Sequence, residues 1–251
     1  MKSIEQFIAE KFIRGSHSLA VLIDPDELGR EEYYLSLIQT INNGAVDIVF
    51  VGGSLLTGEG FEKNLARLKA DSQLPLILFP GSSIQLTKSV DALLFLSLIS
   101  GRNPELLIGQ HVIAAPRIAE LGIKTIATGY MLIDGGKPTT ASYISNTQPI
   151  PRDKPSIAAA TAMAGEMLGL QCLYLDGGSG ALFPVPIDTI KAVRKTTQIP
   201  MIVGGGIRST HDADAAFRAG ADIVVIGTLF EEQPELLAEF RSELRGSDRK
   251  S

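Results

Sequence analysis

Apolar residues fall into eight short runs along the chain, at 19–24, 47–53, 76–81, 92–97, 124–133, 172–178, 201–206 and 222–227. Within them Val21-Leu22-Ile23, Ile48-Val49-Phe50-Val51 and Ile223-Val224-Val225-Ile226 carry no polar alternation. A strand with one wet face alternates, whereas a strand buried on both faces reads as a continuous apolar run. Most intervals between the runs have helical period, as at 28–41, 104–121, 157–168, 187–195 and 212–219,. Strands alternating with helices predict a parallel sheet. Eight such units in 251 residues predict one domain spanning 1–251, an α/β fold of the (β/α)8 TIM-barrel type,. An open doubly wound sheet fits less well: its glycine fingerprint would follow the first strand, where Asp24-Pro25-Asp26-Glu27 stands instead,.

Two intervals break the rhythm. Nine residues, 82–90, separate the third run from Asp91, fewer than a helical crossover uses,. The helix after the third strand is therefore expected to be reduced or missing. Either a single helical turn over 84–87 fills the interval, or the outer layer is open there and admits a long apolar substrate. Residues 134–155 form a stretch rich in Gly, Pro, Ser and Thr after the fifth strand, on the face where barrels place their sites,. It reads as a mobile lid. Its Lys137, Arg152 and Lys154 either attract an anionic ligand or are ordinary solvated cations. Ile4, Phe7, Ile8, Phe12 and Ile13 mark an apolar stripe on an initial helix, and a frayed tail is expected from about residue 246,.

Composition narrows the function classes. The net charge is −5 with 23 Lys plus Arg, which provides no basic field for nucleic acid,. The longest apolar run, 92–99, is less than half of the ~20 residues a membrane span needs,. Membrane contact is expected to be peripheral at most. A single Cys and an N-terminal stretch broken by Glu5 and Glu10 point to a reducing cytoplasm,.

The chemistry gathers at strand ends. Tyr174-Leu175-Asp176-Gly177-Gly178-Ser179-Gly180, Val203-Gly204-Gly205-Gly206-Ile207 and Ile226-Gly227-Thr228 place seven glycines at three successive strand ends. Glycine lets backbone N–H groups approach an anion, and barrels often bind phosphate beyond their last two strands, so these loops form a candidate phosphate cradle. Tight turns alone account for one or two of the glycines. Asp176 sits inside the cradle, where a carboxylate repels phosphate. It is suited to anchoring a ligand hydroxyl, to acting as general base, or to holding the turn through loop N–H groups. Asp24 closes the first strand, either as a hard oxygen ligand for Mg²⁺ or as the start of the following helix; Ser54, closing the second strand, is its nearest candidate neighbour,. His17, His111 and His211 share no metal-ligand spacing, and His211 is expected in the first turn of a helix after Ser209,. Cys172 lies in an apolar strand without an adjacent base and reads as core,.

The strings Leu22-Ile-Asp-Pro-Asp26, Val51-Gly-Gly-Ser54, Phe79-Pro-Gly81, Leu94-Phe-Leu-Ser97, Gly129-Tyr-Met-Leu-Ile133, 174–180, 203–207 and Gly227-Thr228 run in order from first strand to eighth. Together they resemble the geranylgeranylglyceryl phosphate synthase family. The resemblance implies a prenyltransferase that joins the C3 hydroxyl of sn-glycerol 1-phosphate to a long polyprenyl diphosphate, geranylgeranyl being favoured and heptaprenyl open. It implies Mg²⁺ held at Asp24 and Ser54. Glycerol phosphate would be held by Tyr174, Leu175, Asp176, Gly177, Gly178, Ser179 and Gly180, by Gly205 and Gly206, and by Gly227 and Thr228. Asp176 would orient the glycerol hydroxyls and accept a proton. Relatives of this kind also commonly self-associate. Two competitors share the cradle: a barrel enzyme acting on a phosphorylated sugar or indole precursor, and a catalytically silent phosphate-ligand binder.

Overall fold

Each apolar run becomes a strand: β1 (Ser18–Ile23), β2 (Ile48–Val51), β3 (Leu76–Leu78), β4 (Ala92–Leu98), β5 (Lys124–Leu132), β6 (Cys172–Asp176), β7 (Met201–Gly204) and β8 (Ile223–Ile226). In the computed structural model, which describes residues 17–53, 58–227, 237 and 240–244, these strands pair in parallel in chain order, and β8 closes on β1. The initial helical stripe and the tail from 246 lie outside the described residues, as do Ser54 and Thr228.

The continuous apolar runs follow from burial on both faces. Along β1, Leu19, Val21 and Ile23 face the helix layer, while Ala20 faces the barrel interior with Ile48, Phe50, Ile77 and Leu94. Cys172 belongs to that interior, as the core reading predicts, and burial pushes its thiol ionisation upward. The outer layer is α1 (Glu31–Asn42), α2 (Phe61–Asp71), α3 (Gln110–Leu121), α4 (Thr140–Ser145), α5 (Pro155–Met167), α6 (Ile187–Thr196) and α7 (Thr210–Ala219). Ser209 caps α7 in a capping box with Asp212, which places His211 in the first turn,. His17 stacks on Phe217 with ring centroids 4.4 Å apart, a packing role.

The interval after β3 holds one 3₁₀ turn, Ser83–Gln85, and no full helix. Gln85 is buried and ties the turn down: its Oε1 accepts from the Gly81 N–H at 2.8 Å, and its amide donates to the Gly53 carbonyl at 3.1 Å. Ahead of α3, residues Glu105–Gly109 form a π turn, and Ser97 at the end of β4 donates to the Leu107 carbonyl at 2.9 Å. Between the thin layer and this widened helix start, the outer side of β4 is left as an open apolar groove.

One polar staple joins the barrel's lower rim to its helices. Arg194 of α6 pairs with Asp222 at 2.9 Å and donates to the carbonyls of Gly220 and Ile199; Asp222 also accepts from the Met201 N–H at 2.8 Å. Arg194→Ala leaves a largely buried carboxylate without its cation, so a loss of about 2–3 kcal/mol is expected. A melting temperature within a degree of wild type would contradict that assignment.

Candidate functional site

The C-terminal ends of the strands open into a cavity of about 500 Å³, within the range of small-molecule sites,. Asp24 enters it from β1, Phe79 from just beyond β3, Tyr130 from β5, and Tyr174 and Asp176 from β6. Gly178, Ser179, Gly180, Gly205, Gly206 and Gly227 form its other side. The sequence-derived cradle is thus one continuous surface, and the described residues bring Asp24 to its opposite rim.

Backbone conformation explains why two of these positions are glycine. Gly205 has φ of +81°, and a Cβ there would lie 2.5 Å from Gly178 N and 2.8 Å from Asp176 Oδ1. Gly206 has φ of +73°, and its Cβ would lie 2.5 Å from the Phe183 carbonyl oxygen. Among the described residues the N–H groups of Ser179, Gly180, Gly205 and Gly206 have no protein acceptor. Unspent amides on residues that line one cavity are what an anion site requires,.

Not every predicted residue reaches the cavity. Leu175 is fully buried and belongs to the layer between sheet and helices, because alternate residues of β6 point to opposite faces,. It supports the strand and does not line the mouth. The Gly177 N–H is already donated to the Gly204 carbonyl at 2.9 Å, continuing the sheet beyond β6. Gly178 donates to Asp176 Oδ1 at 2.7 Å.

Asp176 therefore does hold its loop, and it also faces the cavity. It is 8% exposed, and Oδ2 accepts from the Tyr130 hydroxyl at 2.5 Å. Burial raises its pKa above the ordinary carboxylate value, while the Tyr130 O–H and Gly178 N–H favour the charged form,. Tyr130 and Tyr174 are pushed upward by burial and by the neighbouring Asp176 charge, so both phenols stay protonated donors.

Asp24 starts the turn that follows β1, as one of its two readings predicts. Its Oδ1 accepts from the Asp26 N–H at 3.0 Å and starts the 3₁₀ turn Glu27–Gly29, while Oδ2 points toward Gly53, 3.6 Å from where a Cβ would stand. Burial raises its pKa, opposed by the Asp26 N–H and reinforced by the charges of Asp26 and Glu27. No group of three or more His, Cys, Asp or Glu able to hold a metal occurs among the described residues.

The apolar groove meets the mouth at Gly53, Phe79, Tyr130 and Ala141, which border both. Leu86, Leu93, Phe95, Leu106, Ala114 and Ile118 line it further out. His111 contributes an edge-on contact to Phe95 at 4.4 Å, and burial lowers its ionisation, which keeps this wall uncharged. Phe79 and Tyr130 stand where groove and mouth meet, and residue-by-residue reading does not single them out. The signal available was register: Tyr130 pairs with Tyr174 one strand away.

Residues 134–155 border the mouth through Thr140 and Ala141. Asp134 N–H donates to the Ile150 carbonyl and Ile150 N–H to Leu132, both at 2.9 Å; Thr139 caps α4 in a capping box with Ser142. Of the three cations, Arg152 donates to the Asp134 carbonyl at 2.8 Å and Lys154 pairs with Asp153. Lys137 alone approaches the cradle, its Nζ 3.8 Å from where a Cβ on Gly180 would stand. Arg208, beyond β7, lines the mouth and donates to the Ala181 carbonyl at 2.9 Å.

Comparison with known proteins agrees with this architecture. A family model described as the PcrB family matches residues 10–243. Proteins named geranylgeranylglyceryl phosphate synthase from Spirosoma linguale and Chitinophaga pinensis are each 48% identical, over 233 residues (93% of this chain and 93% of that protein) and 238 residues (95% and 94%). The crystal structure of (S)-3-O-geranylgeranylglyceryl phosphate synthase from Thermoplasma acidophilum, in complex with its substrate sn-glycerol-1-phosphate, matches with a TM-score of 0.88 at 29% identity over 100% of both chains.

Proposed function

The chain belongs to the PcrB family, and from that membership and the geometry of the mouth we propose that it is a prenyltransferase. It forms an ether between the C3 hydroxyl of sn-glycerol 1-phosphate and a long polyprenyl diphosphate, geranylgeranyl diphosphate being favoured, and releases diphosphate. The observation that carries this reading is the junction of an amide-lined anion cradle with an uncharged apolar groove at Phe79 and Tyr130. A sugar-phosphate barrel or a silent phosphate binder needs the first and has no use for the second.

The parts divide the work. The amides of Ser179, Gly180, Gly205 and Gly206 take the glycerol phosphate, and Asp176 accepts from a glycerol hydroxyl. As the new C–O bond forms at the allylic carbon and its bond to diphosphate breaks, the hydroxyl proton passes to Asp176, whose pKa, raised by burial, suits it as an acceptor,. The rings of Phe79, Tyr130 and Tyr174, packed at centroid distances of 5.2–5.7 Å, wall the place where allylic positive charge develops,.

Asp24 supplies a hard oxygen, and no Cys, His or Met is among the described residues that line the cavity, a donor set that would suit Mg²⁺,. Ser54, which follows Gly53, is the proposed second ligand. When bound, such a cation neutralises charge on the departing diphosphate.

The groove's share can be sized. At about 0.8 kcal/mol per buried CH₂, roughly ten carbons supply the ~8 kcal/mol of micromolar binding. Half of a C20 chain under cover is enough, so an open groove suffices. Ala114→Trp fills it and is expected to raise KM for geranylgeranyl diphosphate at least tenfold while leaving glycerol phosphate affinity unchanged. Equal KM values would place the chain elsewhere. The reading as a whole is tested by incubating the protein with labelled sn-glycerol 1-phosphate, Mg²⁺ and prenyl diphosphates of several lengths, then extracting the ether lipid.

A further inference from the structure

The Asp176 carboxylate has two donors of different origin. The Gly178 N–H comes from its own loop, whereas the Tyr130 hydroxyl reaches across from β5. Tyr130 cannot easily turn away: its ring stands edge-on to Phe79 at 5.6 Å and to Tyr174 at 5.7 Å, with interplanar angles of 76° and 85°. A merely packed tyrosine at this junction needs a ring and no specific acceptor. This one spends its only proton on Asp176, at a distance typical of a charge-assisted O–H···O⁻ bond,.

We infer that Tyr130 is a positioning residue for the transfer reaction: its hydroxyl fixes Asp176 Oδ2 so that the carboxylate's remaining lone pairs face the glycerol hydroxyls, while its ring borders the prenyl groove. The inference rests on the proposed role of Asp176. Two donors also keep a buried carboxylate ionised, which a proton acceptor must be. The phenol keeps its proton, because burial and the adjacent carboxylate both oppose its ionisation. Other titrating or charged groups around Asp176 are Tyr174 on β6, Asp24 at the end of β1, Arg208 beyond β7 and Lys137 on the 134–155 segment.

The test is Tyr130→Phe, which keeps the ring and removes the donor. Expected are a kcat lower by about 10–100-fold, a KM for prenyl diphosphate within about twofold of wild type, and an acid limb of the kcat profile moved up by about one pH unit. The sign follows from the lost donor: the neutral acid gains on the carboxylate, so more base is needed to ionise it. Phe79→Leu disturbs the same ring cluster without touching the hydroxyl and is expected to leave the acid limb where wild type has it. A 3-fluorotyrosine at position 130, a stronger donor in an unaltered fold, is expected to move the limb downward, and it decides the matter should Tyr130→Phe fail to fold. An unmoved limb in Tyr130→Phe or in the 3-fluorotyrosine protein, or a wild-type kcat in Tyr130→Phe, overturns the inference. Absence of ether product from the wild-type protein counts instead against the proposed reaction and is seen before any variant is made.

Discussion

Gly205→Val is expected to weaken sn-glycerol 1-phosphate binding at least a hundredfold by calorimetry, about 2.8 kcal/mol. Two effects act together. A β-branched residue at φ of +81° is strained by about 1–3 kcal/mol,. Its Cβ also meets backbone, 2.5 Å from Gly178 N and 2.7 Å from Gly177 N, and backbone cannot rotate aside as a flexible side chain can. Relief requires the β6 and β7 loops to part, which disperses the amides that grip the phosphate. Gly122→Ala is the matched control. Gly122 also has positive φ, at +65°, but nothing lies within 4 Å of a Cβ there. That variant is expected to lose about 1 kcal/mol of stability and no affinity. Equal affinity in Gly205→Val and wild type would mean that the phosphate binds elsewhere.

Asp24→Asn is expected to lower turnover at least a thousandfold with the fold and glycerol phosphate affinity retained. Asparagine preserves the side-chain oxygen that accepts from the Asp26 N–H, so the turn that opens the first loop survives,. What disappears is the negative charge beside Gly53 that a divalent cation needs. EDTA is expected to have the same effect on the unmodified protein, reversed by excess Mg²⁺. A variant as active as wild type would reduce Asp24 to a turn-former. A variant that lost glycerol phosphate as well as turnover would show that Asp24 shapes the cradle itself.

The barrel was legible because burial on both sheet faces leaves a pattern that little else produces: Ile48 and Phe50 fill the interior while Val49 and Val51 meet the helices, and the run reads as unbroken. The thin layer after β3 was legible from length alone. α2 was harder to see, since Leu65 and Leu68 are its only buried residues amid Glu62, Lys63, Arg67 and Lys69. α4 lies in the stretch read as a lid, and its capping box carries no acidic signature.

At the site, the glycine loops could be read as chemistry because their spacing matches successive strand ends. The resemblance includes Leu175 with its neighbours, although alternation along β6 turns it outward,. Tyr130 and Phe79 stayed hidden, since an aromatic residue at a strand end has the same appearance whether it faces helices, core or substrate. Only the register of β5 on β6 brings the Tyr130 hydroxyl to Asp176. Arg152, read either as a ligand's partner or as a solvated cation, is engaged by the carbonyls of Asp134 and Pro184.

The most direct measurement is a crystal structure with sn-glycerol 1-phosphate and a non-reactive prenyl thiodiphosphate bound together. The phosphate is expected against the amides of Ser179, Gly180, Gly205 and Gly206, a glycerol hydroxyl on Asp176, and the prenyl chain running past Phe79 and Tyr130 between Leu93 and Ala114. A phosphate seated away from the glycine loops, or a chain lying outside that groove, would contradict the account.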